Sequence, residues 1–337
     1  GFERIYEEAK RTRHVPCEAL ASAPSEPSVA DEILCFLKSS STDELNAVFT
    51  EIVSVVYTGG NANGGPEISS VNGVWIEKTL SLDHKFKYLL ENFFKAAFKL
   101  VDFISNAEEV RMEVNSWVQE STNDLIKDLL PPGSVTNETE RVYANALYFK
   151  GTWQTPFDDY DTRKRNDEDQ YIAAYDGFKV ARLPFQGGRG DSSRTFAMYF
   201  YLPRKKDGLV NLVERIATTP GFLDAHSPSC EVKVGTFRIP KFEISFGFLV
   251  SEVFSQLGLD SNNLYHKACI RIDESGVEAA AATADEACGC YLGMEPPKRI
   301  DFVANKPFLF LIREDATGTV LFVGQIFDPS QSFIGSH

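Results

Sequence analysis

The chain has 337 residues, 43% of them hydrophobic, with 26 Phe and a formal net charge of −14. That is enough apolar material for a substantial core and argues against global disorder. The acidic balance excludes the basic face of a nucleic-acid binder and weakens attraction to anionic membranes, and no apolar run approaches the roughly 20 residues that span a bilayer.

Residues 1–30 are polar, Pro/Ser-rich near Pro24 to Ser28, and read as a divergent N-terminal arm. A short helix is predicted at Asp31 to Lys38. Ser41 and Glu44 have capping-box spacing before an apolar stripe of Leu45, Val48, Phe49, Ile52, Val53 and Val56. Gly59 and Gly60 stop that helix, and Ile68 to Trp75 follows as a strand. Lys85 to Lys95 reads as a helix, Phe98 to Ile104 as a strand, and Glu108 to Thr122 as an amphipathic helix on Val110, Val114, Trp117 and Val118. A short apolar helix is expected to close at Pro131-Pro132-Gly133. Arg141 to Lys150 is too apolar to have one face in water, so it is predicted to be a central strand.

Between Asp161 and Gln170 only a charged connector is read, followed by a strand at Phe196 to Leu202 and a helix at Leu209 to Ala217. Val232 to Phe246 alternates as one or two strands around Pro240, and Phe248 to Leu259 reads as a helix. Leu264 to Asp273 is a strand, and Phe308 to Ile312 with Val320 to Ile326 is a buried hairpin. The mixture is α+β with large, mostly antiparallel sheets.

Chemistry-bearing motifs are missing. There is no nucleophile elbow, H-E-x-x-H or phosphate loop, and His14, His84, His226, His266 and His337 have no ligand spacing. No enzyme activity, metal or cofactor is expected. Arg189-Gly190-Asp191 is ordinary turn composition. Six thinly spread cysteines read as mostly free thiols of a reducing compartment. No secretory signal is visible, which favours a cytoplasmic setting.

One stretch resists this reading. Glu274 to Ala284 is an Ala-rich run with high helix propensity, hung between a strand and an irregular segment through Gly289, Gly293, Pro296 and Pro297. Together with Asn145 to Trp153, Val234 to Phe242, Asp301 to Phe308 and Leu321 to Pro329, it resembles the serpins, most closely the plant serpins. The resemblance covers about 31–330. It implies a single serpin domain with surrounding helices and an exposed reactive-centre loop at about 274–300, and family segments are missing near 161–170 and 260–264. An extracellular setting is also consistent with it.

The resemblance further implies a suicide inhibitor of a serine or cysteine protease, acting as a monomer. The loop would be cut at Cys290–Tyr291, with Gly289 or Tyr291 as alternative bait residues, and would insert as a new strand of the large sheet. Glu274, Gly276, Val277, Glu278, Ala279, Ala280, Ala281, Ala282 and Thr283 match the hinge. Asn145 and His266 match a polar pair under the sheet's opening region, and Trp153 an aromatic at its top. Val277 stands where the family has Thr or Ser, and Cys288-Gly289-Cys290 replaces the frequent Leu-Arg of the plant members. On a period-2 strand Asp285 shares the face of Val277, and an unpaired buried carboxylate would stall insertion. The alternative is therefore a non-inhibitory serpin-fold protein, decayed or acting by binding alone.

Overall fold

The computed structural model describes residues 31, 34–35, 39–52, 65–82, 84–124, 126–155, 169–187, 194–240, 242–249, 263–272, 276–277 and 299–329. The arm at 1–30, the connector at 156–168 and the tripeptide at 189–191 lie outside these residues.

Two sheets form the frame. The first carries β1 (Glu67–Glu77), β2 (Ala97–Val101), β3 (Arg141–Thr152), β8 (Phe242–Leu249) and β9 (Asn263–Ile272) in the order β2-β1-β3-β9-β8, with the two-residue β10 (Gly276–Val277) on β3. The second runs β11-β7-β4-β5-β6-β12-β13. Its strands are β4 (Asp169–Tyr175), β5 (Phe178–Pro184), β6 (Phe196–Pro203), β7 (Glu231–Arg238), β11 (Ile300–Val303), β12 (Phe308–Glu314) and β13 (Thr319–Ile326). Eight of the strand pairings are antiparallel and three are parallel (β1–β2, β3–β9 and β7–β11).

Among the described residues the helices are α1 (Thr42–Glu51), α2 (His84–Tyr88), α3 (Phe103–Ser121), α4 (Leu209–Thr218) and α5 (Phe222–Ala225), and Asp31, Leu34 and Cys35 are helical too. α3 lies on one face of the first sheet, where Val110, Val114 and Val118 pack with Val142, Ala144 and Ala146. The other face of β3 meets the second sheet through Leu147, Phe149, Phe200 and Phe310, in a core that also takes Ile52. α4 and α5 cover the second sheet's far side. β6 is buried at all eight positions, as its uninterrupted apolar run requires of an interior strand.

Several expectations need correction. The Ser41 hydroxyl does cap α1 by accepting from the Glu44 amide at 3.2 Å, but the Glu44 carboxylate accepts from the Ser40 amide at 2.7 Å, one residue earlier than a reciprocal box. The helix read through Lys95 ends regularly at Tyr88 and continues to Phe93 as a wider turn. β2 stops at Val101 because Asp102 caps a helix, its carboxylate accepting from the Ser105 amide at 2.9 Å. Phe103 and Ile104 are thus helical, and α3 starts five residues before the predicted Glu108.

The segment before Pro131 is not helical. Asn123, Asp124 and Asp128 have φ near +51 to +63°, and the Leu130 backbone is held by Asn115 through an amide-to-Oδ1 bond of 2.8 Å and an Nδ2-to-carbonyl bond of 2.9 Å. β4 and β5 went unpredicted, although Asp176-Gly177, with Gly177 at φ +86°, is a hairpin signal. Residues 231–249 form two strands, one in each sheet, and Phe248 and Leu249 belong to β8. The rest of the helix predicted to Leu259 lies outside the described residues. Cys35 is disulfide-bonded, against the reading of free thiols, and Cys230 is free and exposed.

Candidate functional site

β3 has two different neighbours along one edge. From Val142 to Tyr148 it pairs in parallel with Asn263 to Cys269 of β9. Three residues higher the neighbour changes, and Gly151 and Thr152 pair antiparallel with Val277 and Gly276 of β10. The chain therefore rises along β9, turns, and comes down again beside the top of β3. A parallel pairing is slightly weaker per residue than an antiparallel one, so the seam between β3 and β9 is the less favourable part of this edge.

The top of the seam is anchored to the second sheet. The Gln186 amide donates to the Thr152 carbonyl at 2.7 Å, and the Gln154 amide to the Pro184 carbonyl at 2.9 Å. Between these bonds Trp153, 2% exposed, stacks on Phe185 with ring centroids 4.7 Å apart and planes 15° from parallel.

Lower down, a line of polar side chains crosses three strands. Asn72 of β1 is the register partner of Asn145, and Asn145 that of His266 on β9. Asn145 Nδ2 donates to Asn72 Oδ1 at 2.7 Å. That leaves Asn145 Oδ1 as the acceptor for His266 Nδ1, also at 2.7 Å, which assigns the tautomer protonated at Nδ1. Burial pushes the His266 pKa below its ordinary value, which keeps the ring neutral. All three residues face the second sheet, in the same row as Leu147 and Phe149. The sequence reading found Asn145 and His266 but missed Asn72. Its signal was a lone amide between Val71 and Gly73 in an apolar strand.

On the opposite face, the segment that follows α3 is tied to β9. The Tyr265 hydroxyl donates to the Ser134 carbonyl at 3.2 Å, and Lys267 Nζ donates to the carbonyls of Lys127 and, at 3.3 Å, Asp128. Arg111 of α3 grips the same segment, donating to the Leu130 carbonyl at 2.8 Å. A strand entering the seam would have to part β3 from β9 beneath these ties.

Of the predicted residues, the structure brings Asn145 and His266 into contact and seats Trp153 at the seam's top, and it places the backbone of Gly276 and Val277 beside it. Glu274, Glu278, Ala279, Ala280, Ala281, Ala282, Thr283, Asp285, Cys290 and Tyr291 lie outside the described residues. Among the described residues no cluster of His, Cys, Asp and Glu could hold a metal ion. The site offers a strand-pairing edge and a polar line across three strands.

Comparison with known proteins gives this arrangement a family. A family model described as Serpin (serine protease inhibitor) matches residues 19–262 and 259–329. Serpin-Z1 of Arabidopsis thaliana is 59% identical over 335 residues, covering 94% of this chain and 87% of that protein. A second Arabidopsis thaliana protein, named Probable non-inhibitory serpin-Z5, is 56% identical over 314 residues, covering 88% of this chain and 72% of that protein. The solved structure of Arabidopsis AtSerpin1 in its native stressed conformation superposes with a TM-score of 0.80 at 40% identity, covering 98% and 97% of the two chains. The parallel seam, its two-residue antiparallel cap and these matches together make the chain a plant member of the serpin family, a family of protease inhibitors and not of enzymes.

Proposed function

We propose that the protein traps a serine or cysteine protease by offering the Cys290–Tyr291 bond and then drawing the cut loop into the seam between β3 and β9. The observation that carries this reading is the antiparallel pairing of Gly276 with Thr152 and Val277 with Gly151, the first two steps of an incoming strand. At the same register, each further loop residue meets the preceding residue of β3. Glu278 falls opposite Lys150, setting unlike charges across the pair. Ala279, Ala280 and Ala281 fall opposite Phe149, Tyr148 and Leu147, all buried, where little beyond a methyl group has room. Ala282 meets Ala146, and Thr283 meets Asn145.

Insertion replaces one parallel ladder by two antiparallel ones. Each inserted residue thus adds about one net backbone hydrogen bond, at about 1 kcal/mol each, and small uncharged side chains keep the desolvation cost low. The ladder overrides the helical preference of the Ala run because the sheet supplies both edges. Parting the strands breaks the bond between Asn145 and His266, and the Thr283 hydroxyl arrives at that point as a replacement partner. Incubation with a panel of serine and cysteine proteases should yield an SDS-stable complex with the mass of the protease plus this chain less its C-terminal peptide, and a released peptide beginning at Tyr291. Cleavage without such a complex for any protease would refute the reading.

One observation favours a non-inhibitory alternative. The same register puts Asp285 opposite the half-buried Tyr143, which packs with Val74, Leu80 and Phe98, and a carboxylate lodged unpaired among such groups costs several kcal/mol or must take up a proton. A relative 56% identical bears the name Probable non-inhibitory serpin-Z5. Thermal melting before and after loop nicking separates the two readings, because a large rise means that the loop inserts and no rise means that it does not.

A further inference from the structure

A corner of the second sheet carries charge of the opposite sign to the whole chain. Arg204, Lys205 and Lys206 leave the end of β6 fully exposed, and the Arg204 amide donates to the Gly177 carbonyl at 2.9 Å, against the turn between β4 and β5. Lys306 Nζ donates to the Arg204 carbonyl at 2.7 Å, and Lys179 Nζ to the Asp301 carbonyl at 2.5 Å. Among the described residues none of these five cations is paired with a carboxylate, although the chain holds 48 carboxylates against 34 Lys and Arg. Two of them are anchored on backbone carbonyls, which fixes their place without neutralising them. Asp176 and Asp207 stand in the adjoining turns. The Asp301 carboxylate is turned away, accepting from the Thr236 amide at 2.6 Å.

The corner also has a position. Asp301, which holds Lys179, is the second residue of β11, the strand that follows the loop expected at 274–300. A protease engaged on that stretch is tethered by the chain itself to β11, and so to the strand that carries the anchor of Lys179. In a chain of formal charge −14 an acidic body is repelled elsewhere, so such a corner selects its orientation as well as its sign.

We propose that Lys179, Arg204, Lys205, Lys206 and Lys306 form a docking surface for an acidic flank of the protease whose active site takes the loop. This rests on the trapping reading for its partner. The test uses the full chain and its Lys205→Glu/Lys206→Glu variant, both substitutions being at exposed side chains outside the seam. Association rates are measured with proteases of net negative and net positive surface charge, each in active form and with the catalytic nucleophile blocked. The reversal should slow association of the acidic proteases about tenfold at low salt, speed that of the basic ones, and lose its effect near 0.5 M salt, as steering does. Equal rates for the two chains with acidic proteases at low salt would overturn the proposal. So would a charge effect that emerges only with an added soluble polyanion, which would make the corner a polyanion site. Charge-dependent binding of the blocked acidic proteases, with no covalent complex from any of the active ones, would uphold the docking surface while refuting the trap.

Discussion

Replacing Asn145 by Ala should weaken the intact protein by about 2–4 kcal/mol, and its loop-cleaved form by about half that. Asn145 makes two side-chain hydrogen bonds of 2.7 Å, one to each neighbouring strand. Its loss leaves Asn72 Oδ1 and His266 Nδ1 without their partner in a partly buried row, at about 1–3 kcal/mol for each stranded group. On the proposed insertion Asn145 would part from His266, so only the bond to Asn72 would remain to be lost in the cleaved form. Urea unfolding of both forms measures the difference, and at a slope of about 3 kcal/mol/M the intact protein should lose roughly 1 M in midpoint. An equal loss in both forms would refute the idea that the seam opens at this bond. A shift below about 0.3 M in the intact form would refute the polar line's part in stability.

Three further outcomes follow from the same geometry. Asp285→Ala should raise the fraction of protease trapped and lower the fraction of inhibitor cleaved without complex, read by gel densitometry at several inhibitor-to-protease ratios. Because burial holds the His266 pKa below the ordinary 6.5, the unfolded chain takes up the proton first as pH falls. Stability should therefore be unaffected by this group above about pH 7.5 and decline below about pH 6.5, and His266→Gln should flatten that decline in urea midpoints. Glu314 is fully buried and accepts from the Thr195 and Ala316 amides at 3.1 Å, the Thr317 amide at 2.7 Å and the Thr317 hydroxyl at 2.6 Å. Glu314→Ala should cost about 3–5 kcal/mol by stranding these donors, and Glu314→Gln less, as measured by differential thermal unfolding.

The strands that ended up central were the legible ones. β6 and β12 are buried throughout and β3 has no exposed position, so their sequences carry a continuous apolar signal that no neighbour has to complete. What was lost depended on single polar atoms. Asp102 ends a strand and caps a helix with one carboxylate, and nothing in the apolar run from Phe98 to Ile104 announces that. Asn115 and Arg111 replace helical bonds before Pro131 from 15 and 19 residues away. The hairpin of β4 and β5 is hard to read because its strands are only seven residues each, begin at the end of the charged run Arg163 to Asp169, and are part-polar themselves, leaving Asp176-Gly177 as their one sharp signal. At the site, Asn145 and His266 were legible only through the resemblance, and Asn72 became visible only when the register aligned three strands.

The two faces of the seam constrain an entering strand in different ways, and the loop's sequence can be judged against each separately. On the α3 side, Ala144 and Ala146 lie level with Tyr265 and Lys267, whose bonds to the segment after α3 close the seam from above. Glu278, Ala280, Ala282 and Ala284 would pass on that side, and their small size beyond Glu278 lets the strand slip under the ties with little displacement. On the side of the second sheet, the proposed register would bring Val277, Ala279, Ala281 and Thr283 to the row Gly151, Phe149, Leu147 and Asn145, where an apolar or hydroxyl-bearing chain would be matched at every step. Only the next residue in that row, Asp285, is mismatched. Under the proposed mechanism the loop's sequence would suit insertion through Ala284, and inhibitory efficiency would turn on whether the gain from the ladders formed by then exceeds the desolvation of one carboxylate. With the Gly276 and Val277 pairs already made, seven further residues enter by that point, at about 1 kcal/mol of backbone bonding each. That exceeds the several kcal/mol expected for a carboxylate by a narrow margin. A narrow margin predicts partition between trapping and plain cleavage, moving toward trapping as acid protonates Asp285 and toward cleavage at high pH.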